Sequence, residues 1–274
     1  MDFYAEIETA LFSADINTKE LIVDRAIEYC RNKDAIFAEF IPKVQQKPSY
    51  SNFVEIVAPK DLPKRGDFSQ KHGKIALIHS ITHIEYSAID LALDAVYRFI
   101  NMPKEFKLDW LIVAQDEIRH FKMLLNLLNK EGVAYGDLPV HKGLFEMAYK
   151  TKESVIERMA VIPRYFEASG LDVNPKIVKK LKKYKKDANL LNLIEALDII
   201  YIEEIEHVKK GDKWFKYLCK KEEVNSTARY KDILNKFNLK GKAEQFDIEG
   251  RKRAGFSCKE LIELGAKECN EGAI

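Results

Sequence analysis

The sequence predicts an all-α protein, and three observations carry that expectation. The 274 residues include 12 glycines and 8 prolines, too few turn formers for a chain built of many short strands. Four long stretches keep their apolar residues at the i, i+3, i+4 spacing of a helix face. The connections between the first two stretches and the next are short, as between antiparallel neighbours in a bundle. Hydrophobic residues make up 46% and charged residues 32%, enough for a sizeable core and unlike a disordered chain. A net charge of +2 argues against a protein coated by nucleic acid and leaves local patches to be judged separately.

The elements follow in order. Residues 1–32 read as two short helices, the second with Thr18 as N-cap and Leu21, Ile22, Ala26, Ile27 and Cys30 on one stripe. From about 42 to 70, "PKVQQKPSYSNF" and "APKDLPKRGDFS" break the pattern and read as an extended arm. The long helices are expected at 71–101, 104–131, 143–168 and 188–220, with "NMPKEF" turning the first two into a hairpin and Pro163 kinking the third. "KIVKKLKKYKKD" reads as a short additional helix, and "KDILNKFNL" and "CKELIELGAK" as two small ones near the C-terminus. The expected organisation is an N-terminal part (1–62), a four-helix domain (63–220) and a C-terminal extension (221–274).

Cys30, Cys219, Cys258 and Cys269 form no CxxC pair and no zinc-ligand spacing, so reduced thiols are expected. The opening "MDFYAEIETA" is acidic and lacks a continuous apolar core, and no apolar run approaches the ~18 residues of a membrane span. A cytoplasmic protein without membrane contact is the expectation.

The chemistry lies in charges that interrupt apolar stripes. Two glutamates stand three residues before a histidine: Glu117–His120 in "QDEIRHF" and Glu204–His207 in "EEIEHV". Trp110, Val113, Ala114, Glu117, His120, Phe121 and Leu124 share one face of the second helix, and Leu197, Ile200, Tyr201, Glu204, His207 and Val208 one face of the fourth. The first helix carries Glu85 in the stripe Ile78, Ile81, Thr82, Glu85, Ala88, Ile89, Ala92. With the hairpin turn at Met102, Glu85 lies 17 residues before it and Glu117 15 after, a mismatch of about 3 Å at ~1.5 Å rise per residue. The two carboxylates are therefore expected at one level.

A buried carboxylate needs a cation, a proton or strong donors. With no lysine or arginine on these stripes, the pattern calls for a metal, and oxygen and nitrogen ligands without thiolate suit iron or manganese better than zinc. The third helix offers Glu167 in "PRYFEASGLD", with Glu153 and Glu157 as alternatives on more polar faces. His79 and His83 leave the face of Glu85 and read as core or supporting histidines; Tyr201 reads as a core tyrosine one turn from Glu204, and His141 as a loop histidine. Asp116 and Glu203 each precede a motif glutamate, a quasi-repeat that fits two similar helix pairs.

The segments "HSITHIEYSAIDLALDAVYRF", "DWLIVAQDEIRHFKMLL", "YGDLPVHKGLFEMA", "EASGLDV" and "EEIEHVKKGDKWFKYLC" make the chain resemble an uncharacterised family of bacterial ferritin-like proteins, itself a domain of unknown function. The resemblance implies a ferritin-like four-helix core with two iron ions, or manganese or a mixed pair, held by Glu85, Glu117, His120, Glu167, Glu204 and His207. Glu117 and Glu204 would bridge, with Glu85 and Glu167 terminal. The family usually reads Glu-Ala-Arg-Gly where this chain has "EASG", so Ser169 replaces an arginine expected near the site. The ligand set is similar to those of di-iron hydroxylases and oxygenases and of rubrerythrin-like peroxidases. Dioxygen or peroxide, a small-molecule substrate or a tRNA, and an electron-donor protein are the partners that follow. The alternatives are iron or peroxide handling, and a binding module that metal merely stabilises. The run 176–186, with seven lysines in eleven residues, reads first as a solvated helix and second as a phosphate-contacting surface.

Overall fold

The computed structural model describes residues 2–63, 66–184, 186–239 and 246–270. Among them every regular element is helical, apart from one parallel bridge between Ile56 and Val140. The chain divides into two compact units: Met1–Tyr149 with Tyr184–Ala196, and Lys150–Lys183 with Leu197–Ile274.

In the first unit, α1 (Phe3–Phe12) is capped by Asp2 and α2 (Ile16–Arg31) by Asp15. The expected cap Thr18 is instead inside the first turn of α2. Asp15 offers its carboxylate to the amides of Asn17 and Thr18, so the helix starts earlier than Thr18 would allow. Leu21, expected on the buried stripe, is 59% exposed; the stripe runs through Lys19, Ile22, Val23, Ala26, Ile27 and Cys30. Lys19 is buried because it has work for all its donors: it pairs with Asp90 at 2.7 Å and donates to Ala10 O at 2.8 Å.

The arm that follows is extended, with two short 3-10 turns at Ser49–Asn52 and Pro59–Asp61; its residues Lys64 and Arg65 lie outside the described residues. It is tied to the loop after the second long helix, where Val57 N donates to Val140 O at 2.8 Å and Val140 N to Glu55 O at 2.9 Å. Gly136 in that loop has φ +109°, and a Cβ there would meet Phe53 O at 2.9 Å, so only glycine fits.

Helices α3 (Lys71–Arg98) and α4 (Lys104–Lys130) form the expected hairpin, three residues shorter at the end of α3 than the sequence suggests. Lys107 explains the early stop: its ammonium donates to Ile100 O at 2.9 Å and Met102 O at 2.5 Å, satisfying carbonyls that leave the helix. Helix α3 is buried on nearly every side from Ile75 to Tyr97, as expected of a central helix. All seven residues of the predicted α4 stripe are buried.

The expected third helix is broken into three pieces, with a further helix following directly. Helix α5 (Gly143–Lys150) ends, and α6 (Val155–Val161) restarts where Ser154 accepts from the amide of Glu157. At Pro163 the chain widens into a π segment, Ile162–Glu167, because proline has no amide hydrogen for the α-helical bond at that position. Helix α7 (Ala168–Leu181) then absorbs the first half of the lysine run, rather than leaving it to a separate helix. Lys185 lies outside the described residues.

Helix α8 (Ala188–Lys221) is the fourth expected helix. Three small helices close the second unit: α9 (Ser226–Lys236), α10 (Ile248–Arg253) and α11 (Cys258–Glu263), the last begun by a reciprocal Ser257–Glu260 cap. Residues 240–245 and 271–274 lie outside the described residues. Cys258 and Cys269 form a disulfide, which corrects the expectation of four reduced thiols; Cys30 and Cys219 are free and buried. A spacing of eleven residues matches no motif, so the sequence offered no cue to this pair. Among the described residues no helix is long and apolar enough to cross a membrane.

Candidate metal centre

Helices α3 and α4 bring Glu85, Glu117 and His120 together. One ligand atom from each lies within 4.8 Å of the others. His120 Nδ1 donates to Glu85 Oε2 at 3.2 Å and stands 3.4 Å from Glu117 Oε2. All three are nearly inaccessible: Glu85 is 3% exposed, Glu117 and His120 0%. The apolar i±3 and i±4 neighbours of each residue draw it inward, and the length of the hairpin sets the common level.

The electrostatics of this cluster are unbalanced. Burial first, and the charge of Glu117 second, push the Glu85 carboxyl well above the usual carboxylate range, with His120 pulling it back. Burial alone would lower His120, but its hydrogen bonds to Glu117 and Glu85 and their charges outweigh it and push it up to about 11.

Other buried acids on α3 are treated differently. Asp90 meets Lys19, and Asp94 meets Arg98 at 2.7 Å. Glu85 has no lysine or arginine partner among the described residues; its neighbours are Glu117 and His120. That contrast fits a group of side chains that could hold a metal ion. The donor atoms are carboxylate oxygens and imidazole nitrogen, which fit iron or manganese.

In the second unit, Glu204 and His207 stand one turn apart on α8, with Oε2 3.7 Å from Nδ1. His207 is fully buried and Glu204 partly so. Glu167 closes the π segment and is half-buried. Of its alternatives, Glu153 is exposed beside Lys152, and Glu157 is held by Lys236 at 2.5 Å. Ser169, where an arginine was expected, donates its hydroxyl to Tyr165 O at 2.6 Å, a local helix bond.

The π segment is fixed to α8 by two devices. A Cβ on Gly211 would stand 2.3 Å from Pro163 Cβ, so the backbones approach as closely as glycine permits. Next to it, Arg164 is wholly buried, with its guanidinium carbon 4.4–4.7 Å from the ring centroids of Phe215, Tyr230 and Phe256. It donates to Glu260 at 2.8 Å and stands 3.3 Å from Asp212, which also meets Lys216 at 2.8 Å. Burial raises Asp212 and would raise Glu260, but the Arg164 charge, with the Ser257 amide bond, carries Glu260 below its ordinary value. Sequence reasoning passed over Arg164; its signal is a lone arginine inside the otherwise apolar "MAVIPRYF".

The remaining candidates have structural duties. Tyr201 donates to Asp247 at 2.5 Å, and Asp247 caps α10. His79 accepts from Gly136 N at 3.1 Å, His83 contacts Tyr135 and His141 O, and His141 Nδ1 accepts from Gly143 N at 3.1 Å. Asp116 pairs with Arg119. On α7, Val178 and Leu181 are buried while Lys176, Lys179 and Lys180 face solvent.

These observations define an all-helical protein with a buried carboxylate–histidine cluster able to hold a metal ion. The chain belongs to the family described as "Protein of unknown function (DUF455)", whose model matches residues 12–262. A relative from Haemophilus influenzae (strain ATCC 51907 / DSM 11121 / KW20 / Rd), described as "Uncharacterized protein", is 36% identical over 270 residues, covering 94% of this chain and 92% of the relative. No solved structure matches the chain.

Proposed function

We propose that this protein is a ferritin-like di-metal carboxylate oxidoreductase that uses dioxygen to hydroxylate or dehydrogenate an organic substrate. The observation that carries the reading is the buried Glu85 carboxylate, which lies against Glu117 and His120 while the other acids of α3 have lysine or arginine partners. In this reading Glu85, Glu117 and His120 from the α3–α4 hairpin, and Glu167, Glu204 and His207 from the π segment and α8, hold two iron ions. Manganese satisfies the same donors.

The metals, when bound, supply Lewis acidity and exchangeable redox equivalents at positions that the six side chains leave open. The chain itself supplies the rest. Val113, Ala114, Leu124 and Ile89 exclude water around the hairpin cluster, which strengthens every charge interaction there. His120 must lose its proton to become a ligand, so metal uptake releases a proton and weakens as pH falls. The Pro163–Gly211 contact and the Arg164 anchor hold Glu167 at a fixed place beside α8.

Metal analysis of protein from iron-supplemented cells tests the reading. Two metals per chain, and a transient absorbing species when the anaerobically reduced protein meets oxygen, are expected. Glu204→Ala should load at most one metal; unchanged stoichiometry removes that residue from the site.

A further inference from the structure

The loop after α4 sets a tyrosine against a histidine in a way that metal binding does not require. His83 Nε2 lies 2.8 Å from His141 O. A carbonyl only accepts, so the ring hydrogen sits on Nε2 and Nδ1 carries the lone pair. That lone pair receives the Tyr135 hydroxyl at 2.9 Å. Tyr86, stacked on Tyr135 with centroids 5.4 Å apart, donates instead to Ala14 O at 3.0 Å, a group that cannot take up a proton. Of these two stacked phenols, Tyr135 is the one that donates to a base.

The rings around Tyr135 extend in two directions. Phe121, next in sequence to His120, meets it edge-on at 5.3 Å, and Tyr86 is next in sequence to Glu85. On the other side Phe53 meets Tyr135 at 5.8 Å and is 41% exposed. His79 covers a further side at 5.4 Å.

The geometry points to Tyr135 as a redox-active tyrosine that delivers one electron to the metal centre and its phenolic proton to His83, within an aromatic cluster that reaches solvent at Phe53. Tyr135 loses one electron from its π system to a one-electron oxidant, the metal centre in its oxidised state. The O–H bond breaks, the proton crosses the existing hydrogen bond to His83 Nδ1, and a neutral phenoxyl radical remains. The imidazolium so formed keeps its Nε2–H on His141 O. One electron from a one-electron donor protein, entering by way of Phe53, with the proton returning from His83 Nδ1, restores the phenol. Losing the electron alone would leave a phenol radical cation, a far stronger acid than an imidazolium, so its proton moves to the base at 2.9 Å even though burial lowers the basicity of His83. Burial, which holds the Tyr135 phenol far above its ordinary range, removes prior ionisation as a route.

The physiological oxidant rests on the metal reading, and the experiment is chosen to be independent of it. Metal-free protein is oxidised by photogenerated tris(bipyridine)ruthenium(III), and the trapped radical is read by high-field electron paramagnetic resonance. The wild type should give a neutral tyrosyl radical with the spectral shift of a hydrogen-bonded phenoxyl. Tyr135→Phe should lose that species, and His83→Phe should lose its hydrogen-bond shift. Fluorotyrosine placed at position 135 keeps the ring and hydroxyl, folds like the native residue, and adds a fluorine splitting if the radical resides there. The same radical in Tyr135→Phe, or no fluorine splitting, overturns the assignment. A failure to load metal would leave this result untouched.

Discussion

Two regions of the molecule bury two carboxylates each, and they neutralise them by opposite means. In the second unit, Asp212 and Glu260 meet Arg164, whose charge is permanent, with Lys216 beside them. In the first unit, Glu85 and Glu117 meet His120, whose charge depends on a proton. In the Arg164 cluster the opposing charges come from the chain's own side chains. In the His120 cluster the positive charge comes from a group that can gain or lose a proton, beside carboxylates that could hold a metal ion. The difference separates charge burial held by a permanent cation from charge burial in a cluster that could hold a metal ion.

The comparison breaks first where the permanent cation is removed. Arg164→Met leaves Asp212 and Glu260 facing each other in the interior, and chemical denaturation should show a loss of about 3–5 kcal/mol. The second effect concerns histidines that carry no such duty. Burial holds His79 at about 4 rather than 6.5. The unfolded chain therefore takes up the proton first as pH falls, and His79 costs stability progressively between those two values, by about 3 kcal/mol in all. His79→Gln should flatten the fall in unfolding free energy over that window, and an unchanged slope would place the acid sensitivity elsewhere. A smaller effect is expected from Gly211→Ala, whose methyl meets Pro163. Denaturation should register about 1–3 kcal/mol of overpacking, accompanied by weaker metal uptake if the π segment moves.

The sequence made the first unit's cluster legible because its members lie on long, regular helices. Helical spacing placed Glu85, Glu117 and His120 on inward faces, and counting residues from the hairpin turn put Glu85 and Glu117 at one level. The second unit resisted the same approach. Pro163 was readable as a disturbance, but a π segment and a restart at Ser154 depend on which carbonyls find donors in the folded chain. The Arg164 cage draws on Phe215, Tyr230, Phe256 and Glu260, all distant in sequence, so no local pattern announces it. The Tyr135–His83 pair stayed hidden for a related reason: one member lies in a loop without periodicity. Thr18 lost its expected cap role to Asp15 because both are good caps and only the path of the chain decides between them.

Unfolding of wild type and Glu85→Gln, each with and without added iron(II) or manganese(II), tests most directly whether the hairpin acids await a metal. Without metal the variant should be at least as stable as the wild type, because one of two repelling carboxylates is gone. Metal at about a hundred times its dissociation constant should stabilise the wild type by about 2.7 kcal/mol and leave the variant unmoved. A metal-free variant destabilised as severely as Arg164→Met, with no stabilisation of the wild type by metal, would mean that the cluster is another structural ion pair and contradict the account.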